Sequence, residues 1–175
     1  MKKALVVVDF QNDFVTGSLG FPEAIILDEK ISSKIEKYLK SGYDLIYTFD
    51  THYSDYLDTQ EGKNLPIPHC IKGTDGFNIY GKTANYLEFS KAKIEKNVFG
   101  SLKLGEFLQN EKYDTVELVG LVSNICVISN AVIAKSALPE AEIIIDALCT
   151  AGADKSLHQK ALDIMQGLQI KVINR

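Results

Sequence analysis

The stretch Val116–Val127, V-E-L-V-G-L-V-S-N-I-C-V, constrains this chain more than any other. It opens as an apolar, β-branched run interrupted only by Glu117, the pattern of a strand buried on both faces of a parallel sheet. Gly120 breaks the run, and Ser123 or Asn124 stands where the N-cap of a helix over Ile125–Ala137 is expected. Cys126 then falls in the first turn of that helix, just past the carboxyl end of a strand. Backbone N–H groups of a first turn have no intrahelical partner, and the helix dipole favours negative charge there. A thiol so placed is expected to have its pKa lowered, and the same N–H groups suit the oxyanion of a tetrahedral intermediate. The plain alternative is a structural cysteine under a helix start, since free Cys is among the most buried residue types.

A buried parallel strand needs neighbours, and the chain supplies them. Ala4–Phe10, Asp44–Phe49, Lys91–Glu95, Glu142–Asp146 and Ile170–Ile173 all read as strands. Between them, Asp28–Lys40 carries Ile31, Ile35, Tyr38 and Leu39 at helical spacing, and Gly42 follows as a stop. Leu102–Asn110 reads as a helix, and Lys155–Leu168 as an amphipathic one with Leu157, Ala161, Leu162 and Met165 on one side. Strands alternating with helices imply an α/β layer fold around a mostly parallel sheet. There is no internal repeat or linker, so residues 1–175 are expected to form a single domain.

Several function classes are disfavoured. A net charge of −4 without Lys/Arg clusters gives no footprint for nucleic acid or an anionic membrane. No run reaches transmembrane length, and the strand from Ala4 is preceded by no apolar targeting segment. Three widely spread cysteines do not make a disulfide framework, which together with the missing targeting segment points to the cytoplasm. A homo-oligomer is left open.

In open parallel sheets, ligands bind outside the carboxyl ends of the strands. Asp9, Asp50 and Cys126 all fall at such ends. Asp50-Thr51-His52 is followed by Glu61 and by His69 in P-I-P-H-C, so two of the chain's three histidines share one long segment, Thr51–Asn85, that shows no clean period. Two imidazoles and two carboxylates suit zinc, iron or manganese, although the spacing fits no standard zinc pattern and ordinary loop polarity is the alternative. Asp9, Lys96 and Cys126 form a second set: a base for a thiol nucleophile and a cation for the thiolate. Taken alone, Lys96 is one of many lysines and reads first as a solvated surface charge. Cys70 and Cys149 read as structural, and His158 as a packing or surface residue without a nameable partner.

These residues lie in motifs that resemble a known family. V-V-D-F-Q-N-D-F at Val7–Phe14, D-T-H at Asp50–His52, P-H-C-I-K-G-T-D-G at Pro68–Gly76, E-K-N-V-F-G-S at Glu95–Ser101 and G-L-V-S-N-I-C-V at Gly120–Val127 occur together and in order. In this the chain is similar to the cysteine hydrolases of the isochorismatase-like superfamily, and within it to the nicotinamidases. The resemblance implies a three-layer fold with a six-stranded, mostly parallel sheet flanked by helices. It implies a catalytic triad on Asp9, Lys96 and Cys126, with a cis peptide bond at Leu121–Val122 that turns the Val122 N–H toward the same point as that of Cys126. It further implies a divalent metal on Asp50, His52, Glu61 and His69, zinc foremost with iron or manganese as alternatives. Phe14, Phe99 and Val122 match positions around the substrate ring.

The activity so implied is hydrolysis of nicotinamide to nicotinate and ammonia through a thioester, a salvage step toward NAD, with pyrazinamide also accepted. Two departures bear on it. The family's K-x-x-Y-S-A-F appears here as Lys96 followed by Phe99-Gly100-Ser101-Leu102, which alters the pocket wall, and position 123 is Ser where relatives often have Thr or Ala. An amidase acting on a carbamoyl or ureido substrate is the alternative within the superfamily, and a non-catalytic small-molecule binder the alternative outside it.

Overall fold

A computed structural model describes residues 1–175. Six parallel strands form one sheet: β1 (Lys3–Val8), β2 (Asp44–Asp50), β3 (Ala92–Lys96), β4 (Thr115–Leu121), β5 (Glu142–Ala151) and β6 (Lys171–Ile173). Their order is β3-β2-β1-β4-β5-β6. The chain therefore builds outward from β1 in one direction, then returns to lay β4 on the other side of β1. That reversal makes the carboxyl ends of β1 and β4 the natural place for a ligand crevice.

Alternation along the strands assigns the two faces. Ala4, Val6 and Val8 join Val116, Leu118 and Ile145 in a core completed by Leu104, Leu108, Ala131, Ala134, Leu162 and Met165. These last six come from α5 (Leu102–Glu111), α6 (Ile128–Ala137) and α7 (Lys155–Gly167). Leu5, Val7, Tyr47, Val119 and Leu121 face the other way. There they meet α1 (Asn12–Val15), α2 (Pro22–Ile25) and α3 (Leu27–Lys40), which contribute Phe14, Ala24, Ile31 and Ile35. Burying a large aliphatic side chain is worth about 1.5–3 kcal/mol, so two such faces supply the driving force for a three-layer arrangement. No helix is long and apolar enough to cross a membrane.

The expected strands are all present, with β5 running to Ala151 where the sequence reading ended it at Asp146. That extension pairs Thr150 and Ala151 with Gly120 and Leu121, after a register shift that follows Leu118. The segment after β2 has no long element but is not featureless. It contains a 3₁₀ turn at Tyr56–Asp58, α4 (Gln60–Asn64), another turn at Asp75–Phe77 and a 3₁₀ run at Gly81–Phe89. Elements this short carry too few apolar positions to give a readable period.

The helix after β4 departs from expectation in a way that matters for the site. Ser123–Val127 forms a wide π-type turn, and regular helix begins only at Ile128. The Val122 carbonyl accepts from both the Ile125 and the Val127 N–H, each at 3.1 Å. Neither Ser123 nor Asn124 caps this turn; Val122 occupies the cap position and no side chain closes it.

Candidate active site

Four strand ends deliver the site. Asp9 immediately follows β1, and its backbone is left-handed, φ 44°. A non-glycine residue held there costs on the order of 1–3 kcal/mol, so the surroundings must impose it. Asp9 N–H bonds back to Thr48 of β2, and the Thr48 hydroxyl donates to Asp9 Oδ1 at 2.6 Å. Asp50 ends β2 and Lys96 ends β3, and the two are register partners. Cys126 projects from the wide turn after β4.

Lys96 ties these ends together. Its Nζ lies 2.6 Å from Asp9 Oδ2, 3.2 Å from Asp50 Oδ1 and 3.8 Å from Cys126 Sγ. Lys96, Asp9 and Cys126 are all buried, so the surface-charge alternative for the lysine does not describe it. Burial works to discharge the ammonium, but the negative charges of Asp9 and Asp50 outweigh it and hold the Lys96 pKa above the ordinary lysine range. Burial pushes the Asp9 carboxyl up, against the opposing pull of Lys96.

Cys126 corrects the sequence reading. A first-turn position was expected to lower its pKa; burial instead raises it well above that of a free thiol, and the Asp9 charge adds to this more than Lys96 subtracts. The dipole argument fails because the wide turn is enclosed: a buried thiolate loses hydration that one turn of helix does not replace. The peptide bond Leu121–Val122 is cis, as the resemblance implies.

The other constellation also converges. His52 Nε2 and His69 Nε2 lie 3.1 Å and 3.4 Å from Asp50 Oδ2, and each lies 3.6 Å from Glu61 Oε1. All four ligand atoms fall within 4.8 Å of one another. A cation about 2.0–2.2 Å from four N/O ligands would set them about 3.3–3.6 Å apart, close to the four His–carboxylate spacings here. The cluster's electrostatics fit as well. Burial and the Asp50 charge raise the Glu61 pKa, as expected of two carboxylates brought close together. Burial opposes a charged Asp50, yet bonds from His52 and His69 and the Lys96 charge keep its pKa well below the usual carboxylate range.

Each ligand is aimed by local structure. Proline-stiffened Pro66-Ile67-Pro68 presents the Ile67 carbonyl 2.8 Å from His69 Nδ1, which leaves Nε2 for the cluster. Glu61 sits in the first turn of α4, capped by Thr59, whose hydroxyl accepts from the Gly62 N–H at 3.0 Å. Gly62 is required there, since a Cβ would lie 2.0 Å from the Tyr56 carbonyl oxygen. His52 is stitched to the loop of His69, its N–H donating to the Cys70 carbonyl at 3.0 Å.

Between the two constellations lies a pocket of about 330 Å³. Asp50, Glu61, His69 and Cys126 reach it; Phe14, Phe99 and Val122 form walls, as expected from the motifs, while Leu19, Phe21 and Leu157 extend the apolar lining. Leu157 therefore leaves the core face of α7 to which its spacing assigned it.

Several positioning residues escaped the sequence reading although they lie within or beside its motifs. Gln11 clamps Asp50, donating from Nε2 to the Asp50 carbonyl at 2.9 Å and accepting the Asp50 N–H at 2.8 Å. Asp13 Oδ2 accepts the Cys70 N–H at 2.7 Å, which anchors the His69 loop. Asn130 joins the Phe99 loop to the cysteine turn, donating to the carbonyls of Phe99 and Cys126 and accepting from the Ser101 N–H. A side-chain amide or carboxylate that serves a distant backbone leaves no periodic trace in sequence. The one available signal was the density of polar residues directly after β1.

The fold recurs in known proteins. The pyrazinamidase/nicotinamidase of Streptococcus mutans UA159 superposes with a TM-score of 0.89 at 28% identity, covering 98% of this chain and 100% of that one. The nicotinamidase/pyrazinamidase PncA of Bacillus subtilis gives 0.88 at 27% identity, over 98% and 99% of the two chains. An N-carbamoylsarcosine amidase from Thermoplasma acidophilum gives 0.80 at 29% identity, over 98% and 95%. The isochorismatase domain model matches residues 3–175, and the chain belongs to the isochorismatase family.

Proposed function

We propose that the protein is a metal-dependent cysteine amidohydrolase that converts nicotinamide to nicotinate and ammonia, and that it also accepts pyrazinamide. The observation that carries this reading is the Lys96 ammonium, in contact at once with Asp9, Cys126 and Asp50 beside a largely apolar pocket of about 330 Å³. Such a node couples a thiol nucleophile and its base to a cluster of metal-type ligands. The similarity to nicotinamidase/pyrazinamidase structures along the whole chain supports the substrate class.

A divalent ion, zinc first among the candidates, would be held by Asp50, His52, Glu61 and His69 and would supply a Lewis-acidic anchor for the pyridine nitrogen. The chain's own residues do the rest. Phe14 and Phe99 flank the flat ring, and Phe14 lies 5.4 Å from the His69 ring, centroid to centroid. With its raised pKa, Cys126 rests as a thiol; its proton passes to Asp9 as Sγ attacks the carboxamide carbon. Lys96 stabilises whichever of the two, the Asp9 carboxylate or the sulfur, carries the negative charge as the proton moves between them. The oxyanion is received by the N–H groups of Val122 and Cys126. Asp9 returns the proton to the leaving amine, the C–N bond breaks, and ammonia departs from a thioester. Water then attacks the thioester, Asp9 takes its proton and passes it back to sulfur, and nicotinate leaves. We place this reaction in the cytoplasm, as a salvage step toward NAD, carried out by one domain spanning the chain.

A second reading is amide hydrolysis on a carbamoyl or ureido substrate, favoured by the likeness to N-carbamoylsarcosine amidase. The triad chemistry would be the same, but no ring nitrogen would need an anchor. Ammonia release from nicotinamide, measured before and after chelation with metal quantified on the same sample, separates the two. Turnover that falls in step with metal loss is expected. Full turnover in a metal-free sample, or none in a metal-loaded one that still alkylates at Cys126, would overturn the nicotinamidase reading.

A further inference from the structure

His158 was without a nameable partner in sequence, and the structure supplies one. One turn into α7, its Nδ1 lies 2.8 Å from the hydroxyl of Ser123, the first residue of the wide turn that presents Cys126. Ser123 is completely buried and His158 half-buried, so the bond is shielded at its hydroxyl end. Beside it, Gly152 gives way to the same group: a Cβ there would lie 3.2 Å from Ser123 Oγ and 2.6 Å from Asn124 Oδ1. The end of β5 and the start of α7 are thus shaped around the N-terminal end of the cysteine turn. The start of α7 is itself held, because Asp154 Oδ1 accepts the N–H groups of Ser156 and Leu157 at 2.7 and 3.0 Å.

The bond answers a second question, why Ser123 does not cap the turn. A capping serine would fold its hydroxyl back onto an N–H two or three residues ahead and tighten the helix start. With its hydroxyl taken by α7, Ser123 leaves the backbone free to open, and the Val122 carbonyl accepts from Val127, five residues on. Burial, and secondarily the nearby Arg175, lower the His158 pKa, which keeps the ring neutral and able to hold a hydroxyl at neutral pH.

We infer that His158 is a positioning residue: by holding the Ser123 hydroxyl it keeps the cysteine turn open and so fixes the directions of Cys126 Sγ and the adjacent N–H groups. The inference rests on the reading of Cys126 as nucleophile. It makes no contact with substrate, so its removal should slow the chemical step rather than weaken binding. The effect belongs to a pair, and loss of either partner should be equivalent.

The test uses His158→Phe, His158→Asn, Ser123→Ala and the Ser123→Ala/His158→Phe double variant of the full chain, each checked for metal content and thermal unfolding. Two readouts are followed: nicotinamide hydrolysis, and the rate of Cys126 alkylation by iodoacetamide. His158→Phe should lower kcat about 10-fold or more with KM within about 3-fold, and slow alkylation in parallel. His158→Asn, whose amide can occupy the Nδ1 position, should recover most of the loss. The double variant should be no worse than either single one, the signature of two residues acting as a unit. An unchanged kcat in natively folded His158→Phe, a loss expressed mainly in KM, or additive losses in the double variant would overturn the inference. Were nicotinamide not turned over at all, the proposed substrate would fall while the alkylation cycle still decided the role of His158.

Discussion

At the scale of single residues, the site is an exercise in shared charge. Four ionisable groups, Asp9, Asp50, Lys96 and Cys126, are buried against one another, and the protein meets the cost of desolvation by letting one ammonium serve three partners. The division of labour proposed for the two constellations is separable by mutation. Cys126→Ala removes the proposed nucleophile without touching the proposed ligands, so turnover should fall by at least about 10³-fold while bound metal stays stoichiometric. His52→Ala, by contrast, should empty the cluster and raise KM, leaving Cys126 open to alkylation. Metal analysis and steady-state kinetics on both variants check this. Full metal occupancy in His52→Ala would refute the ligand assignment.

At the scale of elements, the close approach of β1 and β4 does the positioning. Val8 and Gly120 are register partners, and the residues that follow them are Asp9 on one strand and Leu121–Val122 on the other. Gly120 has φ +111°, and a Cβ there would lie 2.1 Å from the Val8 carbonyl oxygen. Only glycine combines that conformation with that proximity. Gly120→Ala should therefore cost about 3 kcal/mol or more, a fall in Tm of roughly 6–12 °C for a chain of this size, and activity should drop further than stability because both strand ends shift. Calorimetry and kinetics on the same preparation would show it; a variant with unchanged Tm would mean that the strands can part at no cost.

At the scale of the whole molecule, the far layer is fastened to the sheet by charge as well as by oil. Glu117, the one polar interruption in the central strand, lies on the face covered by α3, where Lys34 pairs with it and also with Asp146 of β5 at 2.7 Å. The Tyr38 hydroxyl donates to Glu117 at 2.5 Å. Removing Lys34 alone, as in Lys34→Met, leaves two carboxylates buried without a cation and should cost about 3–5 kcal/mol. The pH dependence has a definite sign. Burial works to raise the Asp146 pKa, but bonds from Lys34, Asn174 and the Leu148 N–H outweigh it, so the folded value lies below the unfolded one. Its stabilisation is thus present above the ordinary carboxylate range and lost as pH falls below about 4. Lys34, held above the ordinary lysine value by the same partners against the opposing effect of burial, keeps its contribution until strongly alkaline pH. Urea unfolding between pH 2 and 7 should show an acid limb that is shallower in Asp146→Asn; an identical limb in both proteins would dissociate the network from acid stability.

Sequence alone determined the layers and the order of the motifs, because both are carried by local pattern. A strand buried on both faces reads as a near-continuous apolar run, as Ala4–Val8 does and as Val116–Leu121 does apart from Glu117, and an α/β chain must alternate its periods. It also placed Asp9, Asp50 and Cys126 at strand ends, where parallel pairing brings them into one crevice; Lys96 entered through the motifs, and only the fold sets it at the end of β3 beside them. Tertiary structure decided what happens once they meet. The direction of the Cys126 pKa depends on enclosure and on charges from three other strand ends, and the wide turn beneath it depends on a hydroxyl captured by a helix thirty-five residues away. Gln11, Asp13, Asn130 and His158 act through hydrogen bonds to residues distant in sequence. Such bonds have no period and no composition, so nothing in a linear chain announces them until the fold has closed.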